Sequence, residues 1–328
     1  MVGITAWFGT KLTTCRSPGE GGADASPGKT EVADVTLKGI DTSELTTREK
    51  GEWSRFVSEL LAPCPDQPVS IAQCVNEARP CAACAPAARF LLTQARRGRV
   101  RGQVEASYKA RFAPDAVKNI DLGAAPSKGA PNARVVIAEW ADFECPACAA
   151  TRHALDDLIE QRPNDVRLVF KHFPLSMHPN AEKAARAAVA AQRQNKFWEL
   201  HEALFENQAK LDAENVERLA KDAGLDLKRF VQDRDSEAAA DAVARDRKQG
   251  EALDIKSTPS LFINGRLFTL TSSDLKEDLE EWVKLELELL NGRRAPAPAP
   301  SAAPAPPPSA SPPASAGTPR SAKAPAAE

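Results

Sequence analysis

Two segments of the chain carry regular patterns of apolar positions, and the two patterns differ. In the first segment, residues 37–122, apolar side chains recur at helical spacing, as Trp53, Phe56 and Val57 do. The spacing predicts three helices, over residues 44–61, 87–97 and 103–112. This segment is therefore predicted to be a small all-helical unit.

The second segment, residues 133–291, alternates strand and helix patterns. Its first element is a nearly continuous apolar run over residues 134–140, which is typical of a strand covered on both faces. The remaining elements are predicted as a helix at 146–161, a strand at 166–171, a helical region at 180–249, a hairpin at 260–270 and a helix at 274–290. The turn Asn264–Gly265 is a strong hairpin signal. The pattern predicts an α/β fold.

The segments around these two units lack such patterns. Residues 1–36 are predicted to be a disordered leader and linker, residues 123–132 an interdomain linker, and residues 292–328 a disordered tail. The tail is built mainly from Ala, Pro and Ser, a composition that cannot bury apolar surface. It is predicted to act as a spacer.

The charge balance excludes some classes of partner. The chain has 43 Lys and Arg against 45 Asp and Glu, a formal charge of −2. It is no polycation, so nucleic acid is not the expected partner. No stretch approaches the ~18 apolar residues that span a bilayer, so no transmembrane segment is predicted.

The pair Cys145 and Cys148, in the sequence CPAC directly after the first strand, is the strongest candidate for chemistry. Two intervening residues place both sulfurs within one helical turn, where a disulfide closes and opens easily. Cys145 falls at the helix N-terminus, where unsatisfied N–H groups and the helix dipole stabilise a thiolate. Cys145 is predicted to be the exposed nucleophile, and Cys148, on the inward stripe, the shielded resolving thiol.

Other uses of a CxxC pair fit less well. A structural zinc site pairs two such motifs about 15–20 residues apart, whereas the Cys81/Cys84 and Cys145/Cys148 pairs are over 60 residues apart. Covalent haem attachment needs a histidine after the second cysteine, where this chain has alanine. An inert structural disulfide is the remaining alternative. The sequence predicts no metal and no organic cofactor.

Several motifs between residues 133 and 291 resemble the DsbA-like branch of the thioredoxin-fold thiol–disulfide oxidoreductases. The motifs are the segments 140–148 (WADFECPAC), 172–175 (HFPL), 178–181 (HPNA), 196–198 (KFW), 204–208 (LFENQ), 257–260 (STPS) and 262–265 (FING). The resemblance implies a thioredoxin fold with a helical insertion, and an exchange of disulfides with other proteins.

The resemblance also implies roles for two residues near the hairpin. In the family, the proline before this strand is cis and faces the CxxC pair, which corresponds to Pro259 here. The backbone of Thr258 would then pair with an extended substrate, as in β-augmentation. The alternative is a trans proline that starts an edge strand.

Glu139 is a carboxylate inside an otherwise apolar strand. In the family, an acidic residue here lies beneath the active site and moves a proton to or from the buried thiol, a task that suits a raised pKa. The alternative is a glutamate at a strand end that reaches solvent. Lys171 is either its partner or, more simply, a surface lysine. The four histidines form no spaced ligand set and are predicted to be surface or packing residues.

Four further cysteines, Cys64, Cys74, Cys81 and Cys84, lie in the helical unit. This unit resembles the three-helix CcmH-type thiol domain, but that family has a CxxC pair where this chain has only Cys64. No catalytic role is carried over. Two structural disulfides are predicted, with three connectivities open. A second redox pair, Cys81 and Cys84, is the alternative.

The cysteine content predicts an extracytoplasmic location, the periplasm or cell envelope. Residues 12–15 (LTTC) loosely resemble a lipobox, which makes Cys15 a candidate lipidation site or else a stray thiol. An intact signal peptide is not predicted, because residues 1–11 lack an early cation and a sufficient apolar run.

The sequence predicts a thiol–disulfide oxidoreductase acting on cysteine-containing protein substrates and reset by a redox-recycling partner. Residues Pro146 and Ala147, with the helical insertion, favour an oxidase. The alternatives are a disulfide reductase or isomerase, and a non-catalytic envelope protein that binds extended peptides.

Overall fold

The computed structural model describes residues 34–271 and 273–293. Its N-terminal part is helical, as predicted, with helices α1 (Thr47–Glu59), α2 (Ile71–Asn76), α3 (Cys84–Arg96) and α4 (Arg101–Phe112), then a 3-10 turn (Pro114–Ala116). The side chain of Thr46 caps α1 in a capping box with Glu49. The short helix α2 was not predicted from the sequence. Cys15 and the tail beyond Arg293 lie outside the described residues.

A five-stranded mixed sheet forms the centre of the C-terminal part. Its strands are β1 (Ser127–Gly129), β2 (Val135–Ala141), β3 (Val166–His172), β4 (Ser260–Ile263) and β5 (Arg266–Leu267), in the order β1-β3-β2-β4-β5. Strands β2 and β3 are parallel, and the other pairs are antiparallel. Strand β2 lies inside the sheet and contributes to apolar clusters on both of its faces, which explains its continuous apolar sequence.

Strand β1 lies within residues 123–132, where the sequence predicted only a linker. It pairs with β3 through three residues, Ser127 opposite Val169 to Gly129 opposite Arg167. Gly129 has φ +98°, and a Cβ there would lie 2.4 Å from the carbonyl oxygen of Val166. The glycine that suggested a linker therefore permits close approach of an edge strand.

Helices cover the sheet. They are α5 (Pro146–Gln161), then α6 (Ala181–Gln192), α7 (Phe197–Glu206), α8 (Ala213–Asp222), α9 (Leu227–Arg234) and α10 (Glu237–Ala252) in the insertion between β3 and β4, and finally α11 (Leu275–Arg293). The sequence predicted the insertion as one helical region, and the structure divides it into five helices. Helices α5 and α11 pack on one face of β2, around Ile137. Trp140 lies in the core on the other face with Phe173 and Phe262.

Helix α11 also belongs to the core of the N-terminal helices. Leu289 packs in the same apolar cluster as Trp53 and Leu91. Arg111 of α4 donates to Glu286 at 2.8 Å, and both side chains are buried. The Arg111 guanidinium also lies 4.1 Å from the centre of the Trp282 ring. One helix thus completes the apolar cores of both parts of the molecule.

Within the described ranges, no helix has the length and apolar character needed to cross a bilayer.

Candidate active site

Cys145 and Cys148 lie at the junction between β2 and α5. Cys145 is the N-cap of α5, with extended backbone (φ −80°, ψ 117°), and Pro146 occupies the first helical turn, where no N–H is required. Both thiols are free. Cys148 is fully buried and Cys145 is 7% exposed. The prediction of an exposed Cys145 was therefore wrong, although Cys145 is the more accessible of the two.

The loop before β4 covers Cys145. The Cys145 thiol donates to the carbonyl oxygen of Thr258 at 3.2 Å, and the Thr258–Pro259 peptide bond is cis. Ser260 pairs with Trp140 in the β2–β4 ladder, which sets this loop beside the carboxyl end of β2. The register of β4 against β2 therefore brings this loop next to Cys145.

Cys148 lies behind Cys145 in the core. Burial raises the pKa of its thiol far above the usual range, and the Glu139 carboxylate raises it further. A thiolate at Cys148 therefore needs a nearby group that takes up the proton.

Glu139 lies close enough to Cys148 for its charge to affect the pKa of that thiol. Its side chain is 3% exposed, and strand pairing flanks it with Phe170 on β3 and Leu261 on β4. Burial, and secondarily the charge of Asp156, raise the pKa of Glu139 to about 8. The alternative that Glu139 reaches solvent at a strand end was wrong, because β2 continues to Ala141 with partners on both sides.

Lys171 has a different role from either of the two predicted. It pairs with Trp140 in the ladder, one position from the Glu139–Phe170 pair. Alternate positions of a strand point to opposite faces, so Lys171 and Glu139 do not meet. Lys171 is buried and forms a 3.0 Å ion pair with Asp246 of α10. It is neither a surface lysine nor the partner of Glu139.

Two carboxylates that sequence reasoning missed hold the active-site turn. Buried Asp142 accepts from the backbone N–H of Glu144 at 2.7 Å and of Leu175 at 2.8 Å, and it lies 2.7 Å from Nδ1 of His178. Glu144 accepts from the Asn180 N–H at 2.6 Å. In turns, an aspartate side chain often accepts a hydrogen bond from the backbone N–H two residues later in the chain. This preference could have identified Asp142 as a turn residue.

The helical insertion contributes a third positioning residue. Nε2 of Gln208 donates to the carbonyl oxygens of Phe143 at 2.7 Å and of Cys145 at 2.9 Å. His172 and His201 are buried among aromatic rings, as expected of packing histidines. Burial lowers the pKa of His172 to about 4 and that of His201 to about 3, so both are neutral at pH 7.

The four N-terminal cysteines form two disulfides, Cys64–Cys81 and Cys74–Cys84. The prediction of two disulfides is confirmed, and the structure selects one of the three connectivities. The alternative pair Cys81–Cys84 is absent from this structure. The sulfurs of Cys74, Cys81 and Cys84 nevertheless lie within 4.8 Å of one another.

Comparison with known families assigns the C-terminal half of the chain. Residues 122–284 match the family model described as Thioredoxin. This part of the chain is therefore a thioredoxin-family domain, and the fold implied by the sequence motifs is confirmed for it.

Individual relatives resemble parts of the chain. The Na(+)/H(+) antiporter NhaA 1 of Mycolicibacterium vanbaalenii is 40% identical over 141 residues, which is 42% of this chain and 23% of the antiporter. This chain thus spans less than a quarter of that relative's length.

Two solved structures also resemble the chain. A thioredoxin-like oxidoreductase from Silicibacter pomeroyi is 27% identical, with 56% of this chain and 99% of that one covered at a TM-score of 0.46. Oxidised BdbD from Bacillus subtilis is 22% identical, with 53% of this chain and 97% of that one covered at a TM-score of 0.46.

Proposed function

We propose that this protein is a thiol–disulfide oxidoreductase that oxidises cysteine-containing proteins outside the cytoplasm, with Cys145 and Cys148 as its redox pair. The supporting observation is the geometry of the two thiols. Cys145 lies at the N-terminus of α5 against the Thr258 carbonyl, and Cys148 is buried one turn behind it. A redox-recycling partner and lipidation of Cys15 belong to the same proposal.

The proposed reaction begins with the Cys145–Cys148 disulfide. A substrate thiolate attacks Sγ of Cys145, forms a mixed disulfide and expels Cys148 as a thiolate. Glu139, protonated near pH 7 because of its raised pKa, gives its proton to Cys148. A second substrate thiolate then attacks the substrate sulfur of the mixed disulfide, which releases Cys145 as a thiolate and leaves the substrate oxidised.

The position of Cys145 supports oxidation over reduction. Cys145 is the N-cap of α5, at the positive end of the helix dipole, and an interaction that stabilises the reduced form makes a dithiol a stronger oxidant. We therefore expect a reduction potential above about −200 mV, toward the oxidising end of the superfamily's range. Equilibration with glutathione buffers measures it. A potential near about −270 mV would favour a reductase.

Substitution of each cysteine tests the residue roles. In a peptide-oxidation assay, Cys145→Ala is expected to abolish turnover, because the attacked sulfur is missing. Reduced Cys148→Ala, with Cys145 still present, is expected to accumulate mixed disulfides with substrates, visible on non-reducing gels. A wild-type protein that binds extended peptides without turning over any dithiol would instead be a peptide-binding module.

The loop residues Thr258 and Pro259 are proposed to hold the substrate. The Thr258 backbone lies beside Cys145, so a substrate strand paired with it brings its own cysteine to the reactive sulfur. Pro259→Ala is expected to raise KM for peptide substrates more than it lowers kcat, because both thiols and Glu139 remain.

A further inference from the structure

The outer N-terminal disulfide, Cys64–Cys81, lines a cavity. The cavity has a volume of about 750 Å³ and lies between the N-terminal helices and the β5 edge of the sheet, where Val117 and Arg266 also line it. Cys64 is partly exposed. A volume of this size suits a small ligand, so a small thiol has a route to this disulfide.

The cavity wall is cationic. Arg79, Arg111 and Arg266 line it, and no carboxylate does so among the lining residues described. Glu77 and Glu286 pair with Arg79 and Arg111 from outside the lining. Nε of Arg111 is buried and has no hydrogen-bond partner among the described residues. With three guanidinium groups and no carboxylate among the described lining residues, the wall favours an anionic ligand over a cationic one.

The inner disulfide, Cys74–Cys84, lies directly behind the outer one. Both of its cysteines are almost fully buried. The sulfur of Cys81 lies within 4.8 Å of the sulfurs of Cys74 and Cys84, little more than contact distance. A Cys81 thiolate released from the outer disulfide would thus face a second disulfide at once.

We propose that the four cysteines form a second redox site, in which two disulfides exchange in series and the reductant is a small anionic thiol. The thiolate attacks Sγ of Cys64, forms a mixed disulfide there and expels the Cys81 thiolate. Cys81 attacks the inner disulfide at Cys84 or Cys74, forms a new disulfide with that residue and frees the other as a thiolate. A second small thiol resolves the mixed disulfide at Cys64, which leaves one oxidised small-molecule disulfide and a Cys64 thiolate.

This site is separate from Cys145. The Asn264–Gly265 turn is bonded to the start of β2, since the Asn264 N–H donates to the carbonyl oxygen of Val136 at 2.9 Å. The cavity residue Arg266 follows that turn, whereas Cys145 follows the other end of β2. A seven-residue strand is about 20 Å long. The two sites therefore lie toward opposite ends of β2 and cannot share one bound small thiol.

The test uses the full chain with Cys15, Cys145 and Cys148 replaced by Ala, so that only these four cysteines remain. The oxidised protein is treated with mercaptosuccinate, quenched with acid, alkylated and mapped by mass spectrometry. We expect the adduct on Cys64, Cys81 in a new disulfide with Cys84 or Cys74, and an alkylated thiol on the remaining cysteine. Alkylation confined to Cys64 and Cys81, with Cys74–Cys84 intact, would overturn the exchange.

A matched variant adds Cys74→Ala and Cys84→Ala to the same chain. Cys81 then has no inner disulfide to attack and expels the small thiol from Cys64 again. We expect the mixed disulfide at Cys64 to fall at least about tenfold, and equal amounts in both proteins would contradict the proposal. If this variant does not fold, the mass-spectrometric mapping of the four-cysteine protein is sufficient to test the proposal.

The charge of the thiol tests the ligand class. Mercaptosuccinate is expected to react several times faster than cysteamine, a cationic thiol, after correction for the thiolate fraction of each. Equal or reversed rates would overturn the anionic specificity. The missing Cys145 and Cys148 keep either outcome independent of the proposed oxidase activity.

Discussion

Glu139 is the buried carboxylic acid that we propose exchanges a proton with Cys148. Its pKa of about 8 arises mainly from loss of hydration in the core. The charge of Glu139 in turn raises the pKa of Cys148. The protonation of Glu139 and that of Cys148 are therefore coupled, and a change at Glu139 is expected to affect both the pH dependence of stability and the thiol chemistry.

Glu139→Gln is expected to change how stability depends on pH. The folded protein holds a proton on Glu139 up to about pH 8, whereas the unfolded chain releases it near its usual pKa of about 4.3. The wild-type free energy of unfolding therefore loses this contribution as pH rises between those values. Relative to wild type, the glutamine variant should gain on the order of 4 kcal/mol across that window. Urea unfolding at pH 5 and pH 8 measures the difference, and a constant difference would contradict it.

Glu139→Gln is also expected to slow thiol exchange. Starting from a mixed disulfide on Cys145, resolution by Cys148 at pH 9, above the Glu139 pKa of about 8, should slow by about tenfold or more, because glutamine cannot accept the Cys148 proton. Stopped-flow release of the substrate thiol measures the rate. Glu160→Gln, at an exposed position of the same helix α5, is the control and should leave the rate unchanged.

Particular residues show where sequence reasoning reached its limit at this scale. The pair Cys145/Cys148 and the strand position of Glu139 followed from local spacing, which the fold preserves. The burial of Lys171 did not, because its partner Asp246 lies 75 residues away. The cover over Cys145 comes from Thr258, 113 residues away. Local patterns carry no information on such contacts.

At the scale of elements, close packing of α10 on β2 depends on a glycine. A Cβ on Gly250 would lie 2.7 Å from Cε2 of Phe173 and 2.9 Å from Cδ1 of Trp140. Both rings are buried, so neither has free space into which it could move.

Gly250→Ala is therefore expected to destabilise the protein by about 1–3 kcal/mol through overpacking. This cost outweighs the gain of up to about 1 kcal/mol that alanine brings to a helix. Gly51→Ala in α1 is the matched control, since a Cβ there meets nothing within 4 Å. It should stabilise the protein, and chemical denaturation of both variants distinguishes the effects. If both substitutions changed the free energy of unfolding in the same direction, the packing argument would be contradicted.

Most elements could be predicted from the sequence, and the errors have physical causes. The helix Pro146–Gln161 was predicted with its observed ends, because a proline in its first turn and a clear apolar stripe agree. Strand β1 was missed because three residues, one of them glycine, carry no periodicity. Helix α2 was missed because its six residues are too few to show a clear helical period, and because the cysteines around it were interpreted only for their disulfide pairing.

At the scale of the whole molecule, a buried ion pair joins its two parts. Arg111 of α4 and Glu286 of α11 are 2.8 Å apart with little exposure, and Asn264 of the β4–β5 turn donates to the same glutamate at 3.1 Å. A single carboxylate thus links the N-terminal helices, the sheet and the last helix.

Arg111→Met is expected to lower the free energy of unfolding by about 3–5 kcal/mol, because Glu286 is left buried without its counter-charge. The double variant Arg111→Met/Glu286→Met should recover most of that loss, since it buries no unpaired charge. Guanidinium denaturation measures both. A double variant as unstable as the single one would show that shape at this junction matters more than charge.

Helix α11 also imposes an order of assembly on the growing chain. Domains usually fold from the N-terminus as synthesis proceeds, but here Leu289 belongs to the same core as Trp53. The first helices to be made must wait for more than 200 further residues before their apolar surface is closed. The packing of the unit that carries the Cys64–Cys81 and Cys74–Cys84 disulfides is therefore complete only once α11 has docked.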